Sequence, residues 1–357
     1  MVSHQHEASV VQAISSSLGT ILQEANYPDV SDDTTLSGFT VVQSNTMTNP
    51  SLSSFVRKNN AYNQNDEFWN TYIKGRPEVP QSLFDLIFQY HSDHGGSFDT
   101  AHEVGAGVGV HSPRLAARFK HVLVSDVHGS NVDIARSRLQ GDCYSFKTSS
   151  LEETVDLAAE SMDLVFASTM MHFVEMKEAV RAVKHQLKPG GTFAATLYGT
   201  FALHDSRAQE IWAMIVLLVS EQIIDKYDEA GKVSQILQNE ASGLEFVELS
   251  YEDFSPAVRY SYNFPKRDTM QDMILPKRID GVLPRRVGPE DIIQNEWNDG
   301  WSKEVDFQGL RDIVNTYPHD SEATDMINLW EELYRIIGED RIKGAWMVNV
   351  LLASKKR

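Results

Sequence analysis

The sequence predicts an α/β protein built on a doubly wound, mostly parallel seven-stranded sheet, with an N-terminal helical extension and a C-terminal helical cap. Three observations predict it. Short apolar runs near 98–104, 121–126, 143–147, 162–168 and 192–198 alternate with helical stretches near 111–119, 129–139, 151–159 and 174–187, a pattern that implies parallel strands with helices on both faces. A glycine-rich turn, "EVGAGVGVHS", lies between the first run and its helix, at the strand end where such sheets bind ligands. The chain closes on "GAWMVNVLLASKK", which is strand-like and apolar on both faces, so the segment before it is an insertion into the same domain.

Taken in order, Val10, Val11, Ile14, Leu18, Ile21 and Leu22 recur at helical spacing and predict an amphipathic helix over 8–26. Residues 28–67 turn to Ser, Thr, Asn, Asp and Pro and read as a linker or lid. "PEVPQSLFDLIFQYHSDH" opens with prolines and then carries Leu83, Leu86, Ile87 and Tyr90 on one helical face. Beyond the fifth strand come a long helix over 204–228, a strand over 244–252 ("LEFVELSYE"), and helices in "VDFQGLRDIVNTY" and "SEATDMINLWEELYRIIG". The expected division is 1–67 as extension or lid, 68–252 with 343–357 as a cofactor-binding core, and 253–342 as an inserted helical cap.

Charge narrows the partners. Lys and Arg number 32 against 50 Asp and Glu, a net charge of −18, which repels polyanions and anionic membrane surfaces. Nucleic acid is therefore not expected. The single Cys143 allows neither an internal disulfide nor a cysteine metal cluster, and the 12 histidines show no paired-ligand spacing on a helix, so no metal is expected. The start of the chain lacks the basic and unbroken apolar segments of a signal peptide, and the most apolar run, "IWAMIVLLVS", is far short of the roughly 20 residues that cross a bilayer. A soluble, cytoplasmic protein follows as the expectation, with homodimerisation through the N-terminal helix a further one.

Gly105, Gly107 and Gly109 allow positive φ and close approach of backbone to a ligand. The dinucleotide spacing G-x-G-x-x-G fails at Val110, and no lysine stands nearby for a triphosphate loop. Instead Glu103 precedes the glycines, which suits a cationic ligand better than a phosphate. Asp126 ends the next strand, where a carboxylate can accept both hydroxyls of a ribose. Each acid also has a local reading, Glu103 as a cap for the helix at 111 and Asp126 as a cap for the helix at 129. Together, with "KPGG" leading into the fifth strand, they favour a nucleoside without phosphate.

The ordered motifs "HEVGAGVG", "VLVSD", "FKTSSLEE", "MDLVFASTMMHFV" and "LKPGGTFAATLYG" resemble those of class I S-adenosylmethionine-dependent methyltransferases, with their Rossmann-like fold. "YIKGRPEVP", the histidine of "MMHF" and the helix at "VDFQGLRDIVNTY" narrow the resemblance to the trans-aconitate methyltransferase group of small-molecule enzymes, to which many fungal secondary-metabolite methyltransferases are similar. The resemblance covers about 70–357. It implies S-adenosylmethionine as cofactor, with Gly105, Ala106 and Gly107 at its methionine end and ribose, Glu103 near its amino group and Asp126 on the ribose hydroxyls. Val127 would pack on the adenine, Ser149, Ser150 and Leu151 would hold its edge, Ser168 and Thr169 would lie beside the methionine portion, and Tyr72 and Arg76 would close over its carboxylate.

The donor of such an enzyme is already activated, so the protein mainly aligns a small-molecule acceptor and excludes water, with oxygen the expected acceptor atom. His172, after the fourth strand, is the first candidate for base or acceptor positioning, and His204 the second. Tyr198, Trp297 and Trp301 are candidates for an apolar acceptor wall. Lys277, Arg278, Arg285 and Arg286 form a basic cluster that either grips an acidic substrate or belongs to a solvated loop. Two rival readings keep the same motifs: a methyltransferase-fold protein that rearranges a natural product without methylating it, and a non-enzymatic regulatory or scaffold protein.

Overall fold

The structure is a computed structural model and describes residues 51–58, 66–153, 156–266 and 269–357. The expected helix over 8–26, its role in dimerisation and most of the 28–67 connection lie outside the described residues.

Three helices, α1 (Leu52–Lys58), α2 (Asp66–Gly75) and α3 (Gln81–Asp93), precede the alternating region. That region runs β1 (Thr100–Val104), α4 (Ser112–Ala116), β2 (His121–Asp126), α5 (Gly129–Arg138), β3 (Tyr144–Thr148), β4 (Met162–Ser168), α6 (Met176–Gln186) and β5 (Leu187–Leu203). There follow α7 (Ser206–Tyr227), α8 (Lys232–Ala241), β6 (Val258–Tyr262), α9 (Thr269–Ile274), β7 (Ile292–Glu296), β8 (Ser302–Val305), α10 (Phe307–Val314), α11 (Thr324–Ile337) and β9 (Ile342–Ser354).

The sheet order is β3-β2-β1-β4-β5-β9-β6-β7, with β8 also pairing with β9. Strands β1 to β5 pair in parallel, and β9 enters antiparallel between β5 and β6. Six of the seven strands expected from sequence are thus β1 to β5 and β9, and the inserted segment 253–342 adds β6, β7 and β8. Side chains of β4 alternate between two cores, Leu164 and Phe166 packing with α3 and Val165 and Ala167 with α6. Burial on both faces is why this strand reads as a continuous apolar run.

Two local expectations need correction. Residues 244–252 form turns, and the sixth strand is β6. Buried Arg259 of β6 donates from Nη1 to the Leu244 carbonyl at 2.7 Å and from Nη2 to the Val247 carbonyl at 2.9 Å, so those backbone oxygens need no ladder partner. Leu244, Phe246, Val247 and Leu249 still bury their side chains, which is the apolar signal that read as a strand. Among the described residues of 151–159 there are turns but no helix, and a single buried position, Leu151, is too little apolar surface to hold one.

β5 is longer than its sequence signal and shifts register against β9 between Tyr198 and Phe201. Such a bulge bends a strand and re-aims its side chains. Here it sits at the carboxyl end of the parallel strands.

Candidate active site

The carboxyl ends of β1, β2, β4 and β5 open into one cavity of about 640 Å³, walled by α2, α7, α8 and the segment after α10. This lies within the range of roughly 300–1,000 Å³ usual for small-molecule clefts. Gly105 and Gly107 have φ of 59° and 55°, the left-handed conformation expected of them. A Cβ on Gly105 would stand 2.8 Å from Cβ of Met170, and one on Gly107 would stand 3.0 Å from the Trp69 ring, so the loop also needs their lack of side chain.

Asp126 is buried at the floor. Its Oδ2 accepts from the Gly107 amide at 2.9 Å, and its Oδ1 accepts from the His128 amide at 2.9 Å and from Nδ2 of Asn131 at 3.0 Å. The carboxylate therefore ties the glycine loop to the start of α5, and α5 itself has no side-chain cap. Asn131 in turn accepts from Nε1 of Trp69 at 3.1 Å, which seats α2 over the loop.

Glu103 is buried, with Oε2 accepting from the Ser112 hydroxyl and Oε1 without a hydrogen-bond partner among the described residues. Burial pushes its carboxyl from the ordinary 4.5 up to about 7, against the opposing pull of Ser112 and the His111 backbone. A buried acceptor atom lining a cavity has a place for a cationic donor. Ser112 also makes Glu103 part of the α4 start, so the local and the ligand readings coexist on its two oxygens.

All the cofactor candidates line this cavity: Tyr72, Arg76, Glu103, Gly105, Ala106, Gly107, Asp126, Val127, Ser149, Ser150, Leu151, Ser168 and Thr169. Thr169 has φ of 50°, uncommon for a β-branched residue, and its amide donates to the Thr196 carbonyl at 2.7 Å. The Arg76 guanidinium lies between the Tyr72 and Tyr317 rings, 4.8 and 4.4 Å from their centroids, and donates to the Tyr317 hydroxyl at 2.9 Å. His172 and Tyr198 line the same cavity. Burial, with a smaller contribution from Arg76, lowers His172 to about 3, so its imidazole is neutral, and its Nδ1 has no hydrogen-bond partner among the described residues.

Three candidates are not among the lining residues. His204 is exposed, beyond the end of the extended β5, and lies against Trp297 with ring centroids 5.3 Å apart. Trp297 is 52% exposed, whereas Trp301 is 2% exposed and belongs to the core. Four residues of separation suggested a shared face, but the intervening 3-10 turn, Asp299–Trp301, sends one ring inward and leaves the other outside. The basic cluster is a fastening. Arg278 pairs with Glu221 and Asp225, both at 2.6 Å, and Arg285 pairs with Glu245 at 2.6 Å.

Sequence reasoning missed Trp69, His111, Asn131, Glu240 and Tyr317, which line the cavity from five separate segments. Trp69 stands close before the quoted "YIKGRP", so that motif could have been extended to it. Nothing in the spacing of the others signals convergence.

Residues 102–195 match the sequence family described as "Methyltransferase domain". Over 311 residues the chain is 32% identical to methyltransferase AacuQ of Aspergillus aculeatus, covering 87% of this chain and 100% of that one. The chain is an S-adenosylmethionine-dependent methyltransferase of class I. The methyltransferase is also 32% identical over 313 residues to methyltransferase gedG of Aspergillus terreus, covering 86% of this chain and 97% of that one. A methyltransferase of Claviceps purpurea is 30% identical over 299 residues, covering 83% and 94%. Membership of the family decides against the non-enzymatic reading. Among the described residues of the methyltransferase, no group of His, Cys, Asp and Glu could hold a metal ion, and no helix is long and apolar enough to cross a membrane.

Proposed function

We propose that this methyltransferase methylates an oxygen atom, hydroxyl or carboxylate, of a small apolar molecule of secondary metabolism, and that it stands nearest the trans-aconitate methyltransferase group. The observation that carries the reading is the lining of the cavity, where an apolar chamber wall of Phe201, Trp212, Val216, Val219, Val233 and Leu237 accompanies the glycine loop. An apolar wall of that size suits an apolar acceptor. Residues 253–342 contribute Ile274, Ile313, Val314 and Tyr317, which supports reading that segment as the acceptor-side cap of a core formed by 68–252 and 343–357. We further propose 1–67 as an extension, a cytoplasmic location and a homodimer.

When bound, S-adenosylmethionine supplies a methyl group already activated on a sulfonium. The chain holds and orients. Glu103 Oε1 takes the ammonium of the methionine end, and Asp126 takes the ribose hydroxyls. Val127 packs on the adenine, with Ser149, Ser150 and Leu151 along its edge. Ser168, Thr169, Gly105, Ala106 and Gly107 border the methionine portion, and Arg76 with Tyr72 meets its carboxylate. Neutral His172 and Tyr198 position the acceptor.

Alignment of this kind is worth about 7–11 kcal/mol of barrier, more than any single proton transfer supplies. The test is mass spectrometry of metabolite extracts incubated with the enzyme and methyl-labelled S-adenosylmethionine. One labelled methyl on oxygen of a small molecule is expected. A labelled nitrogen or carbon would overturn the assignment to oxygen.

A further inference from the structure

We propose that Glu240 binds the acceptor's hydroxyl and takes its proton, so that the acceptor is a neutral hydroxyl compound and not a carboxylate. The proposal rests on the reading of the enzyme as an oxygen methyltransferase and narrows it.

The position is unusual in its own helix. Val233, Ile236, Leu237 and Glu240 of α8 all line the chamber, at the i, i+3, i+4, i+7 spacing of one helical face. Three of the four are apolar, and the fourth carries a carboxylate. Among the described residues that carboxylate makes no ion pair and no hydrogen bond. A carboxylate on an apolar wall is costly unless something pairs with it, and the chamber is where that partner would stand.

The groups facing Glu240 come from several elements. Arg76, at the end of α2, and Tyr317, after α10, interact with it electrostatically, and His172 is held beside α8 by the amide of Asn239, which donates to the His172 carbonyl at 2.9 Å. Burial raises the Glu240 carboxyl above the usual range, and Arg76 offsets part of that rise. A carboxylate raised towards neutrality is a better proton acceptor for a hydroxyl than an imidazole lowered to about 3, as His172 is. A carboxylate acceptor would bring a second negative charge against Glu240 on a mostly apolar wall, and it has no proton to give.

The step balances. The acceptor's O–H bond breaks and its proton passes to a Glu240 oxygen. The oxygen's electron pair forms the new O–CH3 bond, and the pair of the methyl–sulfur bond stays on sulfur. Glu240 loses its negative charge as the sulfur loses its positive one.

The experiment compares 1-naphthol and 1-naphthoic acid, which share one apolar body and differ in the acceptor group. Their binding to enzyme saturated with S-adenosylhomocysteine is measured by calorimetry near pH 8, and their methylation with S-adenosylmethionine is followed from about pH 5 to 9. Wild type is expected to bind 1-naphthol at least about tenfold more tightly, with a rate that rises as Glu240 ionises. Glu240→Gln is expected to lose that preference and the rising limb, and to lower kcat by about a hundred- to ten-thousandfold, while Glu240→Asp recovers part of both. Unchanged affinity of the variants for S-adenosylhomocysteine establishes that they fold. Preference of wild type for 1-naphthoate, binding of neither probe, or an unchanged pH profile in Glu240→Gln would overturn the proposal. In the labelled-donor experiment an alkali-labile methyl ester would overturn Glu240 while keeping oxygen methylation, whereas a methylated nitrogen would overturn the parent reading.

Discussion

Glu103 and Asp126 are two carboxylates at adjacent strand ends with different surroundings. Glu103 is neutral in the folded chain up to about pH 7 but ionises from about 4.5 when unfolded, so the apo-protein loses stability as pH rises between those values. An ammonium on Oε1 reverses that preference by favouring the ionised form. Affinity for S-adenosylhomocysteine is therefore expected to increase from about pH 6 to pH 8 in wild type and to stay level in Glu103→Gln, as read by calorimetry; equal wild-type affinities would remove Glu103 as the ammonium partner. For Asp126, already satisfied by Gly107, His128 and Asn131, replacement by Ala is expected to weaken the same ligand by about 10- to 100-fold, since hydrogen bonds to a charged group are worth about 1.5–3 kcal/mol each. Asp205→Ala is the control. Asp205 caps α7 by accepting from the Ala208 amide at 2.9 Å, so its loss costs about 1 kcal/mol of stability and leaves affinity unchanged. The placing of both acids on the cavity was legible from sequence because it depends on strand ends. The Trp69–Asn131–Asp126 chain was not, because its members are brought together by the packing of α2.

Among the elements, β6 shows how a side chain can decide secondary structure elsewhere. Arg259 donates to two carbonyls of the 244–249 turns and from Nε to Asp291 at 2.7 Å, while Asp291 also accepts from the Ala257 amide at 2.9 Å and the Tyr251 hydroxyl at 3.1 Å. The pair is buried and its remaining valences are filled, the condition under which breaking it by removing one partner costs about 3–5 kcal/mol. Arg259→Met is expected to lower stability to denaturant by that amount and to raise amide exchange first in 244–249, β6 and β7. Exchange confined to the chain termini would mean that the turns hold themselves. Alternation of apolar residues over 244–252 could not reveal this, because burial alone does not distinguish a strand from a turn whose carbonyls are satisfied by a guanidinium. The parallel strands, in contrast, were legible from short runs bounded by turn residues, although β5 extends well past its run.

At the scale of the whole molecule, the cavity is assembled from segments spread from Phe55 to Pro318. A ligand that bridges them stabilises the folded chain by mass action, by about 2.7 kcal/mol at a hundredfold excess over its Kd. S-adenosylhomocysteine is accordingly expected to raise Tm by several degrees, and Asp126→Ala to abolish most of that rise at the same concentration. A full rise in the variant would place the stabilising contacts elsewhere. The acidic balance acts at this scale too. The basic cluster at 277–286 is mostly spent on Glu221, Asp225 and Glu245, so it fastens the cap and offers little charge to an acidic acceptor.

The sequence by itself determined the α/β class and the strand ends that border the cavity, because glycine conformation, strand-end carboxylates and apolar runs are properties of a few neighbouring residues, and the family resemblance of its motifs implied the cofactor. Only the tertiary structure decided which side chains reach the chamber. It placed Trp301 in the core and left His204 and Trp297 out of the cavity lining, and it brought Glu240, Arg76 and Tyr317 together from segments far apart in the chain. The physical reason is that local pattern sets the direction of each element, while the meeting of distant elements depends on how a bulged strand and three packed helices share one buried volume.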